Sequence, residues 1–164
     1  DLLDLKLVNL SAHMVFNIQP SVLDWISNQT IQRLEIDGYT VDCQSFCANC
    51  VINCQKEFLN SLILKRTGVN DSFIETMKLE QFTSLHTLDL SENNIQRCST
   101  IANLGSITSL TSLNIGGNNI RAMNVEDLGR LSELSRLTDL TEFKCNELPC
   151  YYVRDAALQA LKLD

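Results

Sequence analysis

This 164-residue chain is predicted to be an α/β solenoid, a horseshoe with a parallel sheet on its concave side and helices on its convex side. Three observations carry the prediction. Leu85, Leu88, Leu90, Asn93 and Ile95 spell L-x-x-L-x-L-x-x-N-x-I, and Leu110, Leu113, Ile115, Asn118 and Ile120 repeat it. The pattern extends both ways, so that six copies start near residues 2, 31, 59, 85, 110 and 140. The intervals of 29, 28, 26, 25 and 30 residues leave room for one strand and one return per copy, with helical returns in the longer ones. A unit of that size cannot bury an apolar face alone, and stacked neighbours bury it in one continuous core. Residues 1–164 are therefore read as a single domain, with a terminal cap at about 140–164.

Each strand follows from its alternation. Successive side chains point to opposite faces, so Leu88 and Leu90 turn inward with Leu85 while His86, Asp89 and Ser91 turn outward. The other copies run Leu2, Leu5, Leu7, Leu10, Ala12; Ile31, Leu34, Ile36, Tyr39, Val41; Leu59, Leu62, Leu64, Thr67, Val69; and a weaker Leu140, Phe143, Cys145, Leu148, Cys150. Asn93 and Asn118 are expected to bond turn backbone groups that are otherwise buried and unpaired. Leu10, Tyr39, Thr67 and Leu148 stand at that position in the remaining copies, whose turns need another solution.

The returns are read in order. Pro20 suits a first helical turn, so a helix is expected over 21–27 with Val22, Leu23, Trp25 and Ile26 as its apolar side. Residues 43–58 are helical in pattern. In the third return Asn70 and Asp71 precede Phe73, Ser72 and Glu75 stand at capping-box spacing, and Phe73, Met77 and Phe82 pack inward. The fourth return, 98–107, is short. The fifth, 125–137, carries Leu128, Leu131 and Leu134 at helical spacing.

Composition narrows the function. A net charge of −7 disfavours a general phosphate-binding surface. No run of 18 apolar residues exists, so no membrane span is expected. No signal peptide opens the chain, which starts inside a repeat and reads as a piece of a larger protein or a mature fragment. Seven cysteines are an odd number, which argues against a fully paired secreted framework and for an intracellular setting, cytoplasmic or nuclear. Asn9, Asn28 and Asn70 open glycosylation-type triplets at a near-chance frequency. No catalytic fingerprint is present, His13 and His86 stand without sequence partners, and no cofactor or metal is expected.

Cys43, Cys47, Cys50 and Cys54 form the sharpest local cluster. Cys43-x3-Cys47-x2-Cys50 matches an iron–sulfur spacing of radical-SAM enzymes, and four thiolates are a full structural zinc set. Steps of 4, 3 and 4, however, trace one stripe of a helix, about 16 Å long, too long for one tetrahedral ion. A core-facing stripe with Phe46, Val51 and Phe58 is favoured over a metal site or redox pairing. Cys145 and Cys150 pair only in an oxidising compartment.

The outward strand positions should carry the partner. Lys6, Glu35, Ile63, Asp89, Asn114 and Lys144 form one row, with Asp37, Lys65, Ser91 and Gly116 beside it. Arg33, Glu35, Ile63, Lys65, Arg66 and Asp89 make a mixed-charge patch in which an exposed Ile63 serves as apolar anchor.

The repeats over 85–120 resemble intracellular leucine-rich repeats of the kind that carry a C-terminal cap. That cap runs as a strand, a short turn, a Tyr/Arg-containing helix and a closing L-x-x-L-D. Here Cys150-Tyr-Tyr-Val-Arg154-Asp155 is followed by Leu158, Leu161 and Leu163-Asp164. The run is similar to caps of phosphatase-regulator and dynein-light-chain relatives, and most of all to those of nuclear RNA export factors. Glu147-Leu148-Pro149 replaces the usual Gly-Asn-Pro, the cysteine-rich return has no counterpart, and the chain is acidic where RNA-binding repeats are basic. The resemblance therefore carries fold and cap, and not RNA binding. The return at 69–74 also resembles repeats of ubiquitin-ligase substrate receptors. The expectation is a non-catalytic adaptor or scaffold that binds a protein partner on its concave face. The alternatives are an RNA-export domain contacting RNA or export partners, and a ubiquitin-ligase substrate receptor.

Overall fold

Apolar alternation over a few residues makes a strand, and each such run here finds the next copy beside it. The computed structural model describes residues 3–10, 16–48, 56–122, 124–145 and 151–162, the side chains of 45, 47 and 48 excepted. Six strands, β1 (Leu3–Val8), β3 (Ile31–Asp37), β5 (Ser61–Lys65), β6 (Thr87–Asp89), β7 (Ser112–Asn114) and β8 (Glu142–Lys144), form one parallel sheet in the order β1-β3-β5-β6-β7-β8. A small second pair joins β2 (Phe16–Asn17) to β4 (Tyr39–Thr40). The register aligns the repeats as read: Leu5, Leu34, Leu62, Leu88, Leu113 and Phe143 lie side by side on the core face. The inner four are fully buried, while Leu5 and Phe143, which among the described residues have a neighbouring strand on one side only, are partly buried.

The returns pack their apolar stripes beneath the sheet. In α1 (Pro20–Ser27), proline occupies the first turn, and Leu23 and Ile26 are buried. Trp25 does not share that stripe. It sits one residue, about 100°, away from Ile26 on the helix and is 51% exposed. In α2 (Cys43–Ala48), Phe46 is buried and its ring meets Phe73 at 5.7 Å. Phe58 is 47% exposed, because it lies in a turn just ahead of β5 and not on a continued helix. Cys50, Cys54 and Val51 lie outside the described residues, so the cysteine stripe is seen only at Cys43.

The third return begins at a different cap from the one expected. Asn70 precedes α3 (Asp71–Met77), and its Oδ1 accepts from the Phe73 amide at 3.0 Å. Ser72 is already inside the helix, and Glu75 turns away to Arg97 (2.9 Å), so no capping box forms. Phe73, Met77 and Phe82 are buried as expected. Asp71 reaches into the next copy, accepting from the Arg97 amide (3.1 Å) and the Thr100 hydroxyl (2.6 Å). The later returns are α4 (Cys98–Asn103) and α5 (Val125–Arg130), each continued by a 3-10 segment. Leu131 and Leu134 are buried there, with Leu128 partly buried against them. The last described helix, α6 (Tyr151–Leu161), packs on the 3-10 segment Leu131–Arg136 and buries Val153 and Ala157. Cys150, Leu163 and Asp164 lie outside the described residues.

The turn asparagines clamp each repeat to its predecessor. Asn93 Oδ1 accepts from the amides of Thr67 (3.0 Å) and Val69 (3.1 Å), while its Nδ2 donates to the carbonyls of Leu64, Leu90 and Ser91. Asn118 accepts from the Ile95 amide (3.1 Å) and donates to Leu90 and Ile115. This explains how the copy with Thr67 manages without its own asparagine: its buried turn amides use the next copy's Asn93. The first copy departs from the pattern. Leu10 at its turn position is 90% exposed, and the neighbouring Asn9, buried, donates to the Gly38 carbonyl at 3.0 Å.

Candidate interaction surface

The register assembles the outward residues into rows across the sheet. Lys6, Glu35, Ile63, Asp89, Asn114 and Lys144 are successive cross-strand partners, the row read from the sequence. A second row runs Asp4, Arg33, Ser61, Thr87, Ser112 and Glu142. Asp37 partners Lys65 in a third. All six candidate residues, Arg33, Glu35, Ile63, Lys65, Arg66 and Asp89, thus fall on β3, β5 and β6 or just beyond them.

Their charges are spent largely on one another. The Glu35 carboxylate takes Lys6 Nζ at 2.6 Å and Arg33 at 3.1 Å. Burial pushes its pKa up, but the two cations outweigh burial, and the net position is below the ordinary carboxyl value. Lys65 pairs with Glu92 at 2.9 Å, which holds its pKa above the usual lysine value. Arg66 pairs with Asp37 at 2.8 Å, which raises its pKa in turn. Arg66 has φ 53, and this left-handed turn at the strand end aims its guanidinium back at β3. Asp89 accepts from the Ser91 amide (2.9 Å) and from Asn114 Nδ2 (3.0 Å). At the far end Glu142 pairs with Lys144 (2.6 Å) and accepts from the Ser112 hydroxyl (2.6 Å).

Two expectations change. Glu35 is not an exposed contact, because Lys6 and Arg33 fold over it and leave it only 8% exposed. Ile63 is partly buried between those paired neighbours and is not an exposed anchor. Such cross-strand pairing depends on which strands become neighbours, and a single repeat read in isolation does not reveal it. His86 is exposed, with Nδ1 2.6 Å from the Ser84 carbonyl oxygen. On the convex side a cleft of about 830 Å³ runs past α3, α4 and α5, with Glu75, Lys78, Glu126 and Arg130 among its walls.

Among the described residues no group of three or more His, Cys, Asp or Glu side chains is placed to hold a metal ion. No helix among them is long and apolar enough to cross a membrane.

Comparison by sequence with protein families and with curated proteins finds no match. Comparison of structures does. An internalin from Listeria monocytogenes superposes over 90% of this chain with a TM-score of 0.59 at 18% identity, and the chain spans 37% of that protein. The tropomodulin C-terminal domain of Caenorhabditis elegans superposes over 99% of this chain and 83% of its own length, with a TM-score of 0.59 at 13% identity. At such identities the likeness speaks for the fold alone. The stacked parallel strands, the asparagine-clamped turns and these two superpositions together make the chain a leucine-rich-repeat solenoid.

Proposed function

We propose that this chain is a non-catalytic protein-recognition module that binds its partner on the concave face, centred on β3, β5 and β6. The observation that carries the reading is the six-residue row from Lys6 to Lys144 on a sheet whose other face is the core. Strand side chains so aligned present a continuous surface about 5 Å apart from strand to strand. Arg33, Lys65, Arg66 and Asp89 supply the polar contacts. Glu35 holds Arg33 and Lys6 in place, and Ile63 supplies the apolar floor. The face carries Lys6, Arg33, Lys65, Arg66 and Lys144 against Asp4, Glu35, Asp37, Asp89, Glu92 and Glu142. That balance favours a protein with charges of both signs over RNA, whose binding calls for a net positive surface. Contacts with RNA or export partners, and substrate capture for a ubiquitin ligase, are weaker readings. An intracellular setting accords with the odd number of cysteines.

The test is a pair of affinity captures from cell extract with quantitative mass spectrometry. One uses the native chain, and the other uses Lys65→Glu with Asp89→Lys. A protein retained by the first, lost from the second and kept by a convex-face variant, Glu126→Lys, supports the reading. Unchanged capture by a folded double variant refutes it, and nuclease-sensitive capture points to RNA.

A further inference from the structure

Asp89 differs from the other acids that lie on β3 to β8 or just beyond them on the concave face. Glu35 is held by Lys6 and Arg33, Asp37 by Arg66, Glu92 by Lys65 and Glu142 by Lys144. Among the described residues no cation pairs with the Asp89 carboxylate. Its bonds come from neutral donors: the Ser91 amide donates to Oδ1 at 2.9 Å, and Asn114 Nδ2 donates to Oδ2 at 3.0 Å. Lys144, two strands away, feels the Asp89 charge, but its ammonium is bound to Glu142 at 2.6 Å.

The surroundings of Asp89 suit one kind of side chain. Ile63 and Asn114 flank it as cross-strand partners, and the neighbouring row sets the uncharged Ser61, Thr87 and Ser112 beside it. The Ser91 and Asn114 donors fix the carboxylate through both oxygens, and each oxygen keeps a lone pair for a further donor. A fixed, planar carboxylate matches the two parallel N–H groups of a guanidinium better than the point charge of an ammonium. Ile63, partly buried and about 5 Å away on the next strand, offers apolar surface to the methylene stem of such a side chain. A partner that covers β5 to β7 takes Asp89 out of water. If it brings no cation, it strands that charge, which is strongly unfavourable. The paired acids around Asp89 make no such demand.

We propose that Asp89 is the receptor for an arginine of the protein partner, whose guanidinium bridges the carboxylate and whose stem lies along Ile63. The inference rests on the concave-face reading above and names the chemistry that the partner brings to the centre of the contact.

The probe is a library of short random peptides displayed on phage, selected in about 0.15 M salt so that long-range attraction to the acidic chain is screened. Selection runs in parallel on the native chain, on Asp89→Asn, and on Glu126→Gln, a convex-face change that alters the net charge equally. Peptides are placed on the concave face by the NMR shifts they cause at the Thr87, Ser91 and Gly116 amides. Those selected there by the native chain and by Glu126→Gln are expected to share an arginine that those selected by Asp89→Asn lack. Replacing that arginine by citrulline, its neutral isostere, should weaken binding to the native chain about 10-fold or more, and to Asp89→Asn less than about 2-fold. Circular dichroism and melting curves are recorded first. If Asp89→Asn is unfolded, Asp89→Ser replaces it, since a hydroxyl can still accept from the Ser91 amide. Concave-face peptides that bind the folded variant as tightly as the native chain, or lose as much from citrulline on both, overturn the inference and leave the concave-face reading standing. Lysine replacing the arginine without loss overturns the guanidinium assignment. A library that yields no peptide on this face overturns both the inference and the reading beneath it.

Discussion

Asn93→Ala is expected to remove the clamp that holds the third and fourth copies together. In the native chain the amides of Thr67 and Val69 have the Asn93 carboxamide oxygen as acceptor, and both residues are fully buried. Two of the three carbonyls at risk are better placed. Leu90 keeps a bond from Asn118 at 2.8 Å and Ser91 keeps one from the Arg66 amide at 3.3 Å. The cost is thus set mainly by two stranded amides at about 1–3 kcal/mol each, or about 2–6 kcal/mol in all. Against a total stability of roughly 5–15 kcal/mol, that is a large share. With an m-value of about 2 kcal/mol/M, the urea midpoint should fall by about 1–3 M. Asn94→Ala serves as control, because Asn94 is exposed and, among the described residues, its side chain accepts from Gln96 alone. Its shift should stay within about 0.5 kcal/mol. A midpoint for Asn93→Ala within about 0.3 M of the native chain would refute the reasoning, and would mean that water or a relaxed turn satisfies those amides.

Leu88→Ala should cost about 2–5 kcal/mol in the same melts, because Leu88 is fully buried between Leu62 and Leu113. A loss below about 0.5 kcal/mol would contradict the register. Gly105→Ala should destabilise by about 1–3 kcal/mol or more, since a Cβ there would stand 2.3 Å from the Glu133 carbonyl oxygen, a backbone atom with little room to move. An unchanged thermal midpoint would show that the convex segments separate easily. The Glu35 pairs give a pH signature. A carboxyl held below its ordinary value adds stability that is full above that value and is lost as pH falls through the lowered one. The difference in melting temperature between the native chain and Glu35→Gln should therefore be steady near neutrality and shrink in acid; a difference that grows in acid would reverse the assignment.

The leucine ladder was legible because each inward position repeats with a fixed spacing, and parallel stacking converts equal spacing into equal register. That is why the row from Lys6 to Lys144 could be read residue by residue. Features that depend on what stands next door were not legible. Trp25 and Phe58 are apolar and were assigned to the interior, yet burial requires a side chain to share a stripe with its neighbours. Ser72 and Glu75 had the spacing of a cap, but Asn70, two residues before Ser72, starts the helix. Glu35 reads as a solvated acid in its own strand. Lys6 in the preceding repeat, together with Arg33, makes it a nearly covered one. The turn at Thr67 lacked its asparagine in the sequence, and the missing group proved to come from a residue 26 positions later.

The asparagine clamps all point the same way: each acceptor oxygen serves amides of the preceding copy. A broken clamp thus injures the turn before it more than the turn that owns it. In a chain whose units touch only their neighbours, stability propagates through such links. The well-clamped copies from Leu85 to Ile120 then act as an anchor from which order spreads toward the N-terminus, link by link. The first two copies, whose turns lean on Asn9 and on backbone bonds, lie at the far end of that gradient. Opening should start among them and run toward the anchor, so that slow amide exchange maps the direction of the clamps as a slope along the solenoid.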